Sequence, residues 1–304
     1  MSIQDNVKSF FDVLLELGEA DPNVFVVSQD MGSVGPFAQR FPERAIDVGI
    51  TEQNLIGVAA GLAIRGKLPF VYGMAPFVTM RAFEQIRTDL AYNGRNVKIL
   101  AVFTGLAAGA WGATHHALED IALMRTIPGM TVIAPADMHE TERAVRAAAA
   151  HWGPVYLRLG AFLPVHEQEY EFQIGRAITL REGTDAAIIA TGNMVWAALQ
   201  AHESLKQRGV AARVVDMHTV KPLDAEAVRR AAGETKRIVT AEEHSVVGGL
   251  GSAVAEALAE TGAGRLARVG VCDVFCTEVA SYPELCAMHG VTAEGIERAV
   301  LSLF

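Results

Sequence analysis

The sequence predicts an α/β protein of two doubly wound domains, each organised around a mainly parallel β-sheet. Apolar, β-rich runs alternate with helix-like stretches from end to end, which is the pattern of strand–helix–strand crossover units. The strand-like runs are nearly continuous in apolar residues, as strands covered on both faces should be. A polar break divides this alternation, and a length of 304 residues suits two domains of ordinary size.

The first half of the chain carries the clearest strand signals. Strands are expected near residues 24–28, 70–74, 97–103, 131–134 and 155–159, and a further short strand ends at Val48. Helices are expected near residues 51–65, 81–92, 117–125 and 138–150. We assign residues 1–165 to this first domain.

Residues 166–183 form the predicted interdomain linker, because the segment is polar and weakly patterned. The alternation restarts in the predicted second domain, residues 184–304. Its strands are expected near residues 186–191, 211–216, 237–241 and 268–272, and its helices near 194–208, 224–232, 250–261 and 292–303. The glycine run at 248–251 lies between a strand and a helix, where an anion could bind. A tight turn with close packing is the simpler interpretation.

Composition and charge exclude several function classes. The chain carries 26 basic and 35 acidic residues, a formal net charge of −9, which argues against binding to nucleic acid or to a membrane surface. The longest apolar stretch, residues 55–78, is interrupted by Arg65 and Lys67, so no membrane span is expected. The N-terminus lacks a signal-peptide pattern. Three cysteines without a CxxC pattern support neither disulfides nor a zinc site, and we expect a cytoplasmic protein.

Residues 41–54 are the most informative segment for chemistry. Thr51 is placed to cap the following helix, and Glu52 falls in its first turn. One interpretation is that Glu52 only complements the helix dipole, an effect worth about 0.3–1 kcal/mol. The alternative is functional, because the surroundings are apolar and a carboxyl that loses its water there can hold or lend a proton near neutral pH.

The segment around Glu52 also carries a resemblance. Residues 47–63 resemble the pyrimidine-domain signature of the transketolase family of thiamine diphosphate enzymes, which includes transketolase and deoxyxylulose-phosphate synthase. The likeness continues in order through residues 112–116, 123–130, 132–137, 214–224 and 282–296. An ordered set that spans essentially the whole chain is highly specific. It implies a pyrimidine-binding domain followed by a transketolase C-terminal domain, whereas neither a GxGxxG fingerprint nor a Walker loop is present.

The resemblance implies roles for four residues around the cofactor. Glu52 matches the glutamate that hydrogen-bonds the N1′ nitrogen of the aminopyrimidine ring, which favours loss of the proton from thiazolium C2. Phe77 matches the aromatic residue that stacks on this ring, although a shift of one residue in its loop would give that role to a neighbour. Ile50 and Met74 are weaker candidates for the pocket wall. The resemblance therefore makes Glu52 both a cofactor-binding and a catalytic residue.

The resemblance also implies a substrate site that departs from the family pattern. His115 matches the motif histidine that reaches the bound substrate, and we interpret His116 as structural. Transketolases usually have an aspartate four residues before that histidine, where this chain has Trp111. Ala161 stands where the family usually places a phosphate-binding arginine. Arg158, three residues earlier, is a substitute candidate for substrate binding or simply a strand residue at the sheet edge.

The family's diphosphate-binding module is missing from this chain. That module begins with Gly-Asp-Gly, a sequence that does not occur here. The diphosphate, Mg²⁺ and half of the active site would then come from a partner subunit, and we expect no metal ligands in this chain. Gly57, Ala60 and Gly61 would allow close packing of two like helices, so we also expect homodimerisation and an α2β2 heterotetramer.

We therefore predict a subunit of a split, thiamine diphosphate-dependent transketolase that transfers a two-carbon ketol unit from a ketose to an aldose-type acceptor. The departures at Trp111 and Ala161 favour a less hydroxylated, aromatic-tolerant or unphosphorylated substrate. Two alternatives stay open among enzymes: the β subunit of a 2-oxoacid dehydrogenase E1 and a decarboxylating ligase similar to deoxyxylulose-phosphate synthase. A third alternative is a non-catalytic assembly subunit that keeps the fold.

Overall fold

Two α/β units make up the computed structural model, which describes residues 3–32, 34–160, 163–166, 170–260, 262 and 264–304. The strands of the first unit are β1 (Val24–Ser28), β2 (Ala45–Asp47), β3 (Leu68–Met74), β4 (Lys98–Val102), β5 (Thr131–Ile133) and β6 (Val155–Arg158). Its helices are α1 (Ile3–Ala20), α2 (Gly35–Arg40), α3 (Glu52–Ile64), α4 (Phe83–Gln85), α5 (Asp120–Thr126) and α6 (Met138–Ala150).

The second unit repeats the alternation on a smaller scale. Its segment of the chain contains β7 (Ile178–Arg181), β8 (Ala186–Ala190), β9 (Ala212–Asp216), β10 (Thr219–Lys221), β11 (Arg237–Ser245) and β12 (Arg265–Val271). The helices are α7 (Met194–Gln207), α8 (Ala225–Thr235), α9 (Leu250–Ala259), α10 (Tyr282–Met288) and α11 (Ala293–Leu301). Among the described residues, none of the helices combines the length and the apolarity needed to cross a membrane.

Both sheets are mainly parallel, which confirms the predicted fold class. The first sheet has the order β10-β5-β6-β4-β3-β1-β2, and only β10 runs antiparallel to its neighbour, β5. The second sheet has the order β12-β11-β8-β9-β7, and only β7 runs antiparallel, to β9. The central strands β4, β6 and β8 are buried at every residue, as expected for strands with helices on both faces.

Two short strands do not fit the predicted division into two domains and a linker. β7 lies inside residues 166–183, the predicted linker, and pairs with the second sheet. β10 follows β9 in the chain but adds an edge strand to the first sheet. Of the predicted linker, residues 167–169 lie outside the described part of the chain. The two units are therefore joined by strand pairing as well as by the connecting segment.

The helix predicted near residues 81–92 is wrong in its form. The chain forms a π-helical turn at Phe77–Arg81, the short α4, and a second π-helical segment at Ile86–Tyr92. π-helical turns hold an extra residue per turn and often occur at functional sites. Helices α1, α2 and α10 were not predicted from the sequence.

Packed side chains form a continuous core across both units. One buried cluster joins α3 and β3 of the first unit to β8 and α9 of the second, and a second cluster lies on the opposite face of the first sheet, against α1 and α6. A third cluster fills the second unit around α7 and α11. The loops at the carboxyl ends of the strands are thus held by two well-packed sheets.

Candidate functional site

Three consecutive parallel connections bring the predicted site residues to one edge of the first sheet. Glu52 follows β2, Phe77 follows β3, and the segment with Trp111 and His115 follows β4. The carboxyl ends of parallel strands lie on the same edge, where ligands of open α/β sheets bind. The fold therefore places these four residues on the side of the sheet where a binding site is expected.

Glu52 is the first residue of α3 and is buried, with a relative exposure of 3%. Its Oε1 accepts a hydrogen bond from Arg81 Nη1 at 2.9 Å, so the carboxylate forms a half-buried ion pair. Thr51 occupies the N-cap position as predicted, but its hydroxyl donates to the Val48 carbonyl at 2.9 Å and does not cap the helix. The apolar pocket expected around Glu52 thus contains a cation that sequence reasoning missed.

Arg81 also contacts the aromatic residue of the site. Its guanidinium carbon lies 4.1 Å from the ring centroid of Phe77, which is close enough for a cation–π contact. Phe77 and Arg81 are the first and last residues of the π-helical turn, which places both side chains on the same side. Arg81 therefore links the Glu52 carboxylate to the Phe77 ring, and the three side chains form one cluster.

A row of aromatic rings continues this cluster toward the substrate motif. Phe77 meets the His115 ring edge-on at 5.1 Å, His115 meets Trp111 at 5.4 Å, and Trp111 packs on Phe103 at 4.9 Å. His115 Nδ1 lies 2.9 Å from the Thr114 hydroxyl. This contact orients the imidazole and leaves Nε2 as its other polar atom.

Phe103 has an unusual backbone at the end of this row. Its φ is +55°, a conformation that is uncommon for residues other than glycine and is often found at functional sites. The residue directly follows β4 and turns the chain into the loop that carries Trp111. Trp111 is 52% exposed, so a broad aromatic face is presented to solvent.

A cavity of about 290 Å³ opens beside this row. Its wall is formed by the turn after β3, the histidine motif and a loop of the second unit, with the lining residues Pro76, Phe77, Met80, Arg81, Ala113, Thr114, His116, Leu118, Glu119, Val274, Phe275 and Cys276. Burial, with the charges of His289 and His115, lowers the pKa of His116, which keeps that ring neutral near pH 7. The second unit thus contributes directly to the site.

Phe77 lines this cavity, whereas the other predicted cofactor and substrate residues do not: Glu52, Ile50, Met74, Trp111, His115 and Arg158. Ile50 lies in the turn before α3 and is 69% exposed. Met74 is the last residue of β3 and is half-buried. Ala161, the counterpart of the family's phosphate-binding arginine, lies outside the described residues.

Arg158 lies on the predicted strand near residues 155–159, but that strand is not at a sheet edge. The strand is β6, an interior strand, and Arg158 is 5% exposed. Its Nε donates to Asp120 Oδ2 at 2.8 Å, and its Nη2 donates to the carbonyls of Glu243 and Ala117 at 2.8 and 3.2 Å. These contacts link Arg158 to both units, and Arg158 is not among the residues that line the cavity.

The glycine run at residues 248–251 precedes α9, as expected. The Glu242 carboxylate accepts the backbone N–H groups of Leu250 and Gly251 at 2.6 and 2.7 Å. The N-terminus of this helix is therefore already occupied by a buried carboxylate of the same chain, which agrees with the simpler structural interpretation.

One buried group of the described residues has the composition of a metal site. Ligand atoms of Glu140, His166 and Asp216 lie within 4.8 Å of one another. They are hydrogen-bonded among themselves, with His166 Nε2 lying 2.8 Å from Asp216 Oδ2, and Glu140 also accepts from Tyr170 and from the Ala136 N–H. Burial alone would lower the pKa of His166, but these carboxylates raise it to about 10. The group is thus an ion-pair network between units, and none of it lines the cavity.

Sequence reasoning missed Arg81, Phe103 and Glu243. An arginine next to an apolar run gave no local signal for Arg81, because its position depends on the extra residue in the π-helical turn. Phe103 was included in a strand, since its left-handed backbone has no signature in the side chain. Glu243 lies just beyond the strand predicted near residues 237–241.

Comparisons with known proteins agree with this geometry. Residues 4–161 match the family model for the transketolase pyrimidine-binding domain, and residues 175–296 match that for the transketolase C-terminal domain. The chain is 46% identical to one of the subunits of an apulose-4-phosphate transketolase from Phocaeicola vulgatus, over 97% of this chain and 96% of that protein. It is 45% identical to the 6-deoxy-6-sulfo-D-fructose transketolase subunit SqwH of Clostridium sp. (strain MSTE9), over 96% of this chain and 92% of that one.

A solved structure is similar over the whole chain. It is described as a split gene transketolase, inactive beta4 tetramer, and it superposes with a TM-score of 0.91 at 43% identity, covering 98% of this chain and 97% of that chain. Sequence, fold and site geometry agree, and the chain belongs to the transketolase family, with the pyrimidine-binding and C-terminal domains on one polypeptide.

Proposed function

We propose that this chain is one subunit of a split, thiamine diphosphate-dependent transketolase that transfers a two-carbon ketol unit. The observation that carries the proposal is that Arg81 links the buried Glu52 carboxylate to the Phe77 ring, which lines the cavity and meets the His115 ring edge-on. Near full-length similarity to proteins named as transketolase subunits supports the same function. The two-subunit names also support the need for a partner chain.

The residues of this site fit the aminopyrimidine end of thiamine diphosphate. A buried carboxyl group and an aromatic face, both in contact with Arg81, suit a flat ring that carries nitrogen atoms. Glu52 would hydrogen-bond the N1′ nitrogen and Phe77 would stack on the ring. Ile50 and Met74 do not line the described cavity and are kept as proposed cofactor contacts outside it. When bound, the cofactor supplies a nucleophilic carbon at C2 of its thiazolium ring.

Three residues of this chain have separate proposed roles in the reaction. Arg81 holds Oε1 of Glu52, so the carboxylate is kept in one orientation for proton exchange with the ring nitrogen. His115 offers an imidazole nitrogen that can donate to the oxygen that becomes charged on the substrate. Trp111 replaces a polar group with an aromatic face, which favours a substrate with an apolar side or fewer hydroxyls near that point.

The remaining parts of the site are proposed to come from a partner subunit. Mg²⁺ and the diphosphate need oxygen and N–H ligands that the described cavity lining offers only sparsely. Two glycines of α3, Gly57 and Gly61, are exposed and have open space where a side chain would be, which suits close contact with a second copy in an α2β2 assembly. Three free cysteines suit the reducing cytoplasm, which we retain as the proposed location.

The test is Glu52→Gln in the assembly formed with the partner subunit. Hydrogen–deuterium exchange at C2 of the bound cofactor should fall by about 10²–10⁴-fold, because glutamine can hydrogen-bond N1′ but cannot pass a proton. The measurement is the rate of C2 exchange by proton NMR after acid quench, which does not depend on the identity of the substrate.

Glu84→Gln is the matched control. Glu84 is also ion-paired, with Arg87 at 2.9 Å, but it is exposed and lies outside the site. Wild-type exchange in the Glu52 variant would remove the proposed role, since a glutamate that only complements the helix dipole predicts unchanged chemistry. Release of CO₂ from a 2-oxoacid, with transfer to a lipoyl partner, would instead identify a 2-oxoacid dehydrogenase subunit.

A further inference from the structure

The loop that carries Trp111 and His115 is closed at its base by a single pair of residues. Gly105 N–H donates to the Ala117 carbonyl at 3.0 Å, and Ala117 N–H donates back to the Gly105 carbonyl at 2.9 Å. The residues between Gly105 and Ala117 form one loop that projects from this closure. The position of the histidine therefore depends on how firmly residues 105 and 117 are held.

A glutamate of the second unit reaches this closure. Glu243 lies on β11, is 2% exposed, and accepts the backbone N–H of Leu106 through Oε1 at 2.6 Å. Its other oxygen accepts from Asn193 Nδ2 at 2.9 Å and from the Tyr282 hydroxyl at 2.7 Å. All three donors hold the same carboxylate, so its direction is well defined.

The contact between Gly105 and the Glu243 carboxylate leaves no room for a side chain at position 105. Gly105 has a φ of +58°, and a Cβ added there would overlap the Glu243 carboxylate. A second contact from the same strand holds the other end of the loop, where Ser245 N–H donates to the Leu118 carbonyl at 2.8 Å. Strand β11 of the C-terminal domain thus forms hydrogen bonds near both ends of the loop.

We propose that Glu243 is a positioning residue, through which the C-terminal domain sets the location of His115 and Trp111 for substrate. The inference rests on the proposed function. Without Glu243 the Leu106 N–H would be buried without an acceptor, and the turn at Gly105 would move to find one. A displacement near 1 Å at a reacting group can lower a rate by about 10²-fold.

The neighbouring residue provides an unusually close control. Glu242 lies on the same strand, is 1% exposed, and also accepts two backbone N–H groups, but both belong to α9 of its own domain. A change at Glu242 therefore perturbs the C-terminal domain by a similar amount without touching the loop. Differences between the two sites report the contact to Leu106 together with those to Asn193 and Tyr282, and amide exchange of the loop separates the first contact from the other two.

The experiment compares Glu243→Ala, Glu243→Asp and Glu243→Gln with Glu242→Gln in the assembly with the partner subunit. In the Ala and Asp variants we expect ketol transfer to fall by about 10–100-fold while C2 exchange of the cofactor stays near the wild-type rate, since Asp keeps the charge but is one methylene too short. The Gln variant should lose less than about tenfold, because its amide oxygen still accepts from Leu106 N–H.

A second readout does not depend on turnover. Amide hydrogen exchange of the peptide covering residues 104–112 should become faster in the Ala and Asp variants and stay unchanged in Glu242→Gln. The inference is overturned if the Asp variant transfers at the wild-type rate, if C2 exchange and transfer fall by the same factor, or if the peptide is unaffected. A wild-type assembly that lacks C2 exchange would contradict the proposed function itself, whereas the amide-exchange result would still test the contact.

Discussion

Replacing Arg158 by methionine tests whether this arginine supports the structure or binds substrate. Asp120, its partner, is completely buried, and Asp120 Oδ2 accepts from Arg158 Nε at 2.8 Å and from the Tyr156 hydroxyl at 2.7 Å. Burial raises the pKa of the Tyr156 phenol, so it stays a hydrogen-bond donor. Methionine fills a similar volume but leaves Asp120 Oδ2 with the neutral Tyr156 hydroxyl as its remaining donor among these two residues.

The magnitude follows from this burial. Removing one partner of a buried ion pair costs about 3–5 kcal/mol, because the remaining charge is uncompensated. For a chain of this length each kcal/mol corresponds to about 2 °C, so the melting temperature should fall by about 6–10 °C. The double variant Asp120→Asn with Arg158→Met should recover part of the loss, since no charge is then left buried.

The assay is thermal unfolding followed by circular dichroism, with substrate KM measured on the folded fraction. Arg146→Met is the control, because Arg146 pairs with Glu16 at 2.6 Å on an exposed surface, where such a pair is worth about 0–1 kcal/mol. A melting temperature within about 2 °C of wild type, combined with a raised KM, would refute the structural reasoning. It would return Arg158 to the role of a substrate ligand.

Two further predictions concern the interdomain network and the aromatic row. Burial lowers the pKa of His166, but its contacts with Asp216 and Glu140 outweigh burial and raise this pKa to about 10. The folded state therefore keeps a proton that the unfolded state loses above about pH 6.5. The unfolding free energy should therefore fall between about pH 6.5 and pH 10, and His166→Gln should remove that slope in urea titrations at pH 7 and 9.5; parallel slopes in both proteins would contradict this. Trp111→Ala should raise the substrate KM by about two- to twelvefold, the equivalent of about 0.5–1.5 kcal/mol of aromatic contact, and leave C2 exchange unchanged; an unchanged KM would mean that substrate does not touch this ring.

The major strands were predictable because buried strands consist of nearly continuous runs of apolar residues. Apolar runs such as residues 97–103 and 155–159 become β4 and β6, interior strands covered on both faces. Helix α6 was predicted at its observed bounds, and in the structure the Asp137 side chain caps it by accepting the Glu140 N–H. Local signals of this kind determine local structure, and the α/β class followed from their alternation.

Strands β7 and β10 were not predictable from local patterns. β7 and β10 have four and three residues, and each exists because a distant strand offers a free edge. The π-helical turn at Phe77–Arg81 also has no recognisable sequence pattern, because it differs from an α-helical turn by one residue. That single residue decides where Arg81 points, so the ion pair with Glu52 could not be foreseen.

The site was predicted as a set of positions rather than as a geometry. Glu52, Phe77 and His115 were placed after successive strands, and the parallel topology brings them to one edge of the sheet. The apolar neighbours of Arg158 indicate an interior strand, as β6 is, so the suggestion of a sheet edge came from the charge of Arg158 alone. Contacts between the two units, such as Glu243 with Leu106, join residues more than a hundred positions apart and leave no mark on either segment.

The pairing of β10 with β5 has a consequence for how the protein is made. A chain emerging from the ribosome N-terminus first completes β6 about 60 residues before β10, which is roughly 3–13 s of synthesis at about 5–20 residues per second. During that interval the outer edge of β5 has no strand to pair with, and open edges invite association between nascent chains. The first sheet is finished only after the second half of the chain has begun to fold back on it. The division into two family domains is therefore not a division into two independent folding events, and a polypeptide shortened after the first domain would carry an unprotected sheet edge.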